Sequence, residues 1–143
     1  MFLARREVME VFRPGDHGST FGGNPLGAAI GLEALNILID EQLIVHSAEM
    51  GAYLLEALRH IDSPLIREVR GRGLFIGMEI EPSLGSARAV CEALMQRGLL
   101  SKETHETVVR LAPPLVIGKE EVDWAIEQIR EVIGEMDRVR LAS

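Results

Sequence analysis

The sequence has no pair of cysteines, no cluster of basic residues and no long apolar run, and each absence excludes a class of protein. Its one cysteine, Cys91, cannot close an internal disulfide. The apolar neighbours Val90, Ala93 and Leu94 make it a buried, inert thiol, which fits a reducing, cytoplasmic setting. The longest block of basic residues is the pair Arg5-Arg6, and 15 Lys+Arg against 22 Asp+Glu leave a formal net charge of -7. Such a chain offers no electrostatic footprint for a nucleic-acid backbone or an anionic membrane. No apolar run approaches the ~20 residues that a bilayer span requires, and Met1–Ala4 ahead of Arg5-Arg6 lacks the apolar centre of a secretion signal. The four histidines, at 17, 46, 60 and 105, show no ligand spacing, so no metal site is expected.

What is present is ordinary globular composition, 47% hydrophobic and 26% charged over 143 residues, enough for about one domain with an appendage. Val8, Met9 and Phe12 predict a short helix over 4–12, which Pro14-Gly15 ends. A glycine-rich loop follows, and Asn24-Pro25 supplies an N-cap and first-turn proline for a helix over 25–39. That helix, from Leu26 to Ile39, is apolar almost all round, which predicts burial inside a larger body. Gly23, Gly27 and Gly31 leave one bare stripe along it. A second helix over 41–60 places Ile44, Ala48, Ala52, Leu55 and Leu58 on one side, with His46 and His60 as surface residues.

From Leu65 the apolar period changes to two. Strands are expected over 66–70 and 74–80, with Leu74, Ile76, Met78 and Ile80 facing one way. A helix over 86–97, ended by Gly98, buries Ala87, Val90, Cys91 and Leu94. Strands at 99–101 and 107–111 precede a last helix over 119–136 with Val122, Ile126, Ile129, Ile133 and Met136 on its apolar face. The fold class is α+β, a ββαββα unit over 63–143 preceded by a helical segment over 1–62.

Two places could carry chemistry. In the loop Gly15–Asn24, the hydroxyls of Ser19 and Thr20 stand among glycines just before a helix N-terminus, an arrangement that suits a phosphate. A plain glycine-rich connection capped by those hydroxyls is the competing reading. The loop contains no lysine and follows no strand, so it is neither a Walker A site nor a dinucleotide fingerprint. Arg110, inside the apolar stretch Val108–Leu111, suits a carboxylate bidentately, or it lies on the solvent face of an edge strand.

The ordered stretches Gly15-Asp16-His17-Gly18-Ser19-Thr20-Phe21-Gly22-Gly23-Asn24-Pro25-Leu26-Gly27, Val69-Arg70-Gly71-Arg72-Gly73-Leu74-Phe75-Ile76-Gly77-Met78-Glu79, Arg97-Gly98-Leu99-Leu100-Ser101-Lys102-Glu103-Thr104-His105 and Val109–Ile117 resemble the C-terminal third of class III pyridoxal-phosphate aminotransferases. Within that family they are most similar to the ornithine aminotransferases. The resemblance implies a small C-terminal domain of a fold-type I enzyme over 63–143, preceded by the tail of the large domain. It implies a homodimer or a larger-chain partner, with Thr20, and Ser19 beside it, reaching across the dimer to the phosphate of pyridoxal 5'-phosphate. It makes Arg110 the receiver of a substrate carboxylate, in an enzyme that moves the terminal amino group of ornithine, or a similar ω-amino compound, to 2-oxoglutarate. The Schiff-base lysine of the family has no counterpart, since the only lysines are Lys102 and Lys119. The aspartate, the stacking aromatic and the glutamate partner of Arg110 that complete the family's site are missing as well. The chain alone is therefore expected to be inactive and to offer no catalytic residue of its own. A non-enzymatic docking module or a small carboxylate-binding domain using Arg110 are the alternatives.

Overall fold

The computed structural model describes residues 4–141; the reading of the first residues as lacking a secretion signal lies largely outside them. Two compact units divide between Gln42 and Leu43, twenty residues before the boundary expected from sequence.

The first unit holds α1 (Arg6–Met9) and α2 (Pro25–Asp40). The first is a single turn, shorter than expected, and Val8 and Phe12 stay exposed. The second starts as its sequence dictates: the Asn24 side chain accepts the Gly27 N–H at 2.7 Å, and Pro25 occupies the first turn, where no amide hydrogen is needed. None of its residues is buried within this unit. Leu26, Ile30, Leu32 and Ile39 are all at least 60% exposed, so the apolar helix has no partner among the described residues of its own unit.

The second unit runs α3 (Leu43–Arg59), β1 (Ile66–Arg72), β2 (Phe75–Ile80), α4 (Ala87–Gln96), β3 (Lys102–Thr104), β4 (Val108–Leu111) and α5 (Lys119–Leu141). The order from β1 onward is ββαββα, as expected. The four strands form one antiparallel sheet in the order β1-β2-β4-β3. Successive strand residues face opposite sides, so burial of Ile76, Met78 and Ile80 on β2 and of Val109 and Leu111 on β4 defines a single covered face. Over that face α3 packs on β1, α4 packs on β3 and β4, and α5 packs against both helices. The apolar stripes read from sequence on α4 and α5 are the ones buried there, Met136 partly so.

On α3 the buried side is different. Leu58 of the expected stripe is buried and Leu55 partly so, but Leu43, Gly51 and Leu54 face inward with them, whereas Ile44 is 70% exposed and Ala48 and Ala52 are exposed as well. The cause is a backbone contact that apolar periodicity does not record. Gly51 lies against the β1–β2 turn so closely that a Cβ built on it would sit 2.1 Å from the Gly73 carbonyl carbon. One turn earlier on the same face, the Ser47 hydroxyl accepts the Leu74 N–H at 3.2 Å. Gly73 itself has φ +55°, the left-handed conformation that glycine adopts without penalty. The turn thus fixes the rotation of the helix, and the nearest larger residues, Leu54 and Leu58, fill the core.

The strand expected at 99–101 is found at Lys102–Thr104. Helix α4 closes with the Gly98 N–H bonded to the Met95 carbonyl and the Leu99 N–H bonded to the Leu94 carbonyl, with Gly98 at φ +85°. These bonds commit Leu99 to the helix end, so the ladder starts later. At the other end of the unit, the Ser63 hydroxyl donates to Asp137 at 2.6 Å and accepts the Leu65 N–H at 3.1 Å, which ties the entry of β1 to α5.

Gly51→Ala is expected to lower unfolding stability by about 2 kcal/mol, since overpacking against fixed backbone outweighs the ~1 kcal/mol gain in helix propensity. A denaturant midpoint that rises or stays put would contradict the close approach. Cys91 is buried, and burial pushes its thiol pKa up. Iodoacetamide at neutral pH should therefore label it slowly in the native chain and rapidly in denaturant, as read by mass spectrometry.

Candidate functional site: the open face of the sheet

Because β2 and β4 bury Ile76, Met78, Val109 and Leu111, the residues between them are committed to the other side of the sheet. Arg110 is one of these, and it is exposed. β4 is an interior strand, not the edge strand considered from sequence. The open face there is cut into a depression of about 370 Å3, floored by Gly77 and rimmed by Phe75, Val108, His105, Arg70 and Arg110.

The register explains this shape. Arg70 on β1, Gly77 on β2, Arg110 on β4 and Lys102 on β3 form one cross-strand row. A side chain at Gly77 would stand 3.1 Å from Val108 Cγ1, so the absence of a Cβ keeps the floor open. Two cations, Arg70 and Arg110, therefore flank a bare patch of backbone, with Lys102 next in the row beyond Arg110, and the three differ in what they already hold.

Arg70 donates to Glu68 at 2.8 Å and to Glu79 at 2.6 Å, and its pKa is raised, first by the hydrogen bond to Glu79. Lys102 lies 3.3 Å from Glu103. Arg110 has no hydrogen-bond or ion-pair partner among the described residues, so its planar fork of donors is available to an external carboxylate. Another apolar depression of the second unit, about 330 Å3 beside Pro113 and Trp124, is lined by Glu121 and by no cation, so a carboxylate has no counter-charge there.

In the first unit, Ser19 and Thr20 lie in the loop before α2. The Ser19 hydroxyl accepts the Phe21 N–H at 3.3 Å and the Ser19 carbonyl accepts the Gly22 N–H at 3.2 Å, a local turn that uses part of the serine's capacity. Asn24 also donates to the Phe21 carbonyl, which fastens the loop to the helix start. Thr20 is exposed, and its hydroxyl has no partner among the described residues. The Thr20 hydroxyl is thus open to a partner from outside the loop.

Neither lysine is free. Lys119 donates to Asp123 at 2.6 Å and to Tyr53 at 3.1 Å and stands 4.7 Å from the Tyr53 ring centroid. Its pKa is raised, chiefly by the Asp123 hydrogen bond, which keeps it a cation. Of the histidines, His60 is a surface residue beside Glu56, as expected. His46 departs from expectation: it is partly buried and its Nε2 lies 2.8 Å from the Ile117 carbonyl, joining α3 to the loop before α5. Among the described residues no group of three His, Cys, Asp or Glu could hold a metal ion, and no described helix is long and apolar enough to cross a membrane.

The sequence reading passed over Gly77, Arg70 and Glu79. Their signal was present as the period-two alternation Glu68, Arg70, Arg72 and Phe75, Gly77, Glu79, but the cross-strand row appears only once the register is known.

Comparison with known proteins identifies the family. The family profile described as Aminotransferase class-III matches residues 1–133. An ornithine aminotransferase of Brevibacillus brevis is 56% identical over 130 residues, covering 91% of this chain and 32% of that enzyme. The chain thus spans about a third of the length of the curated relatives it matches. The solved structure of an ornithine delta-aminotransferase from Plasmodium falciparum superposes with TM-score 0.85 at 42% identity, over 95% of this chain and 36% of that one. An ornithine aminotransferase from Toxoplasma gondii, described as having partial occupancy of PLP at its active site, superposes with TM-score 0.84 at 40% identity, over 96% of this chain and 33% of that one. The chain belongs to the class-III aminotransferase family, and it corresponds to part of the fold of a pyridoxal-phosphate aminotransferase.

Proposed function

We propose that this chain is the C-terminal part of an ornithine-type aminotransferase, in which Arg110 receives a substrate carboxylate while the terminal amino group of ornithine, or a similar ω-amino compound, is passed to 2-oxoglutarate. The observation that carries this reading is the unpaired Arg110 above the bare floor at Gly77, next to an Arg70 that is already neutralised. Both amino acids and 2-oxo acids present a carboxylate to this fork, and bidentate pairing would orient them along the open face.

Pyridoxal phosphate, when bound, supplies the electron sink for moving the amino group. On this chain, Thr20, with Ser19 beside it, would contact its phosphate across a homodimer, or in a complex with a longer chain. Residues 63–143 would form the small domain, and 1–62 would be the tail of the large domain, whose missing body would cover the apolar surface of α2. The compartment proposed is the cytoplasm. The isolated chain is inactive in this reading, because Lys119 is held as a cation by Asp123 and Lys102 matches a lysine of the small domain. A second reading, a non-enzymatic docking module, draws on the exposure of α2, which leaves Leu26 to Ile39 able to cover another chain.

The purified chain, titrated with pyridoxal phosphate, reduced with borohydride and peptide-mapped, should show no stoichiometric label on Lys102 or Lys119 and no transamination of ornithine. A single labelled lysine whose visible band is discharged by amino acids would refute the inactivity. Separately, 2-oxoglutarate should protect Arg110 against modification by phenylglyoxal. Equal rates with and without the oxo acid would argue against Arg110 as the carboxylate receiver.

A further inference from the structure

We infer that Arg70, helped by Arg67, is a positioning residue that holds Glu79 away from Arg110 and so keeps the Arg110 guanidinium open to a carboxylate from outside the chain. The inference rests on the reading that Arg110 receives that carboxylate.

Glu79 lies on the same open face of β2, two residues from Gly77. Its direct neighbours are Glu68 on β1 and Val108 on β4. Two residues further along those strands, at the level of Gly77, stand Arg70 on one side and Arg110 on the other. Glu79 is thus diagonal to two arginines at once. Diagonal pairs in an antiparallel sheet lie about 7–8 Å apart, within reach of long side chains. The backbone therefore lets this carboxylate fall to either side, and an Arg110 that captured it would be occupied by its own chain.

The side chains decide the outcome. One oxygen of Glu79 is 2.6 Å from Arg70 and the other is 3.6 Å from Arg67. Arg70 is in turn fixed by Glu68 at 2.8 Å. The four groups Glu68, Arg70, Glu79 and Arg67 close a network with no net charge, and Glu79 is only 19% exposed within it. A connected set of pairs holds its members more firmly than an isolated surface pair. Arg110 lies outside the network across Gly77, so none of the described carboxylates has to be displaced from it by an incoming one.

The test uses the complete 143-residue chain and reads Arg110 alone, by peptide-mapped modification with phenylglyoxal. This reagent attacks a guanidinium more slowly when a carboxylate holds its protons and shields its nitrogens. The variant Arg67→Met/Arg70→Met releases Glu79, and the Arg110 rate should fall about two- to fivefold, the occupancy expected of an exposed ion pair. Adding Glu79→Gln should restore the original rate, and Arg70→Lys, which keeps a cation beside Glu79, should stay near it. A loss of packing alone would give none of this pattern, and circular dichroism identifies any variant that does not fold. Should the double variant fail to fold, Arg70→Met with and without Glu79→Gln is read in the same way. An unchanged Arg110 rate in a folded variant that lacks the Arg70 cation (Arg70→Met, with or without Arg67→Met), or a fall that Glu79→Gln does not reverse, overturns the inference. Protection of the wild-type chain by 2-oxoglutarate is measured in the same series. Its absence counts against Arg110 as substrate receiver, whereas a flat response of Arg110 to the Arg70→Met variants counts against the positioning role.

Discussion

A four-stranded antiparallel sheet covered on one face only is the constraint from which the rest of the second unit follows. Side chains alternate along a strand, so packing α3, α4 and α5 over Ile76, Met78, Ile80, Val109 and Leu111 decides at the same stroke what stands on the other side. The candidate site is the complement of the core. Arg110 lies between two buried residues, and its exposure is a consequence of theirs. Removing a core side chain of this size costs about 2–5 kcal/mol, so the orientation of the polar face is secured by the apolar one.

The same alternation arranges charge. Across the row Arg70, Gly77, Arg110 and Lys102, like charges would repel if all remained uncompensated. Glu68, Glu79 and Glu103 relieve two of the three positions and leave the third. Gly77 adds space where the charge is left over, and a depression with one available guanidinium is the result. The chemistry thus comes from selective neutralisation, with the position of each carboxylate set by strand register.

The first unit has a different logic. Its loop is organised by short-range bonds, with Ser19 and Asn24 each serving backbone groups within a few residues. Thr20 is the hydroxyl this local network does not use. The helix that follows is apolar almost all round and buries nothing in its own unit, so its composition suits a surrounding that these residues do not themselves supply. That fits a chain corresponding to about a third of its relatives.

Much of this was legible in the sequence. The strand order along the chain, the buried stripes of α4 and α5, the cap at Asn24, the glycine after α4 and the candidacy of Arg110 all follow from local patterns of two, of three to four, or of turn chemistry. What the sequence could not decide depended on contacts between distant backbones. The inward face of α3 is chosen by Gly51 meeting the turn at Gly73, and no apolar period encodes a contact made by a missing side chain. His46 reaches a carbonyl 71 residues away for the same kind of reason. Arg70, Glu79 and Arg110 stand in sequence as ordinary surface charges. Only pairing β1 with β2 and β2 with β4 sets two arginines on either side of one carboxylate and determines which of them remains available.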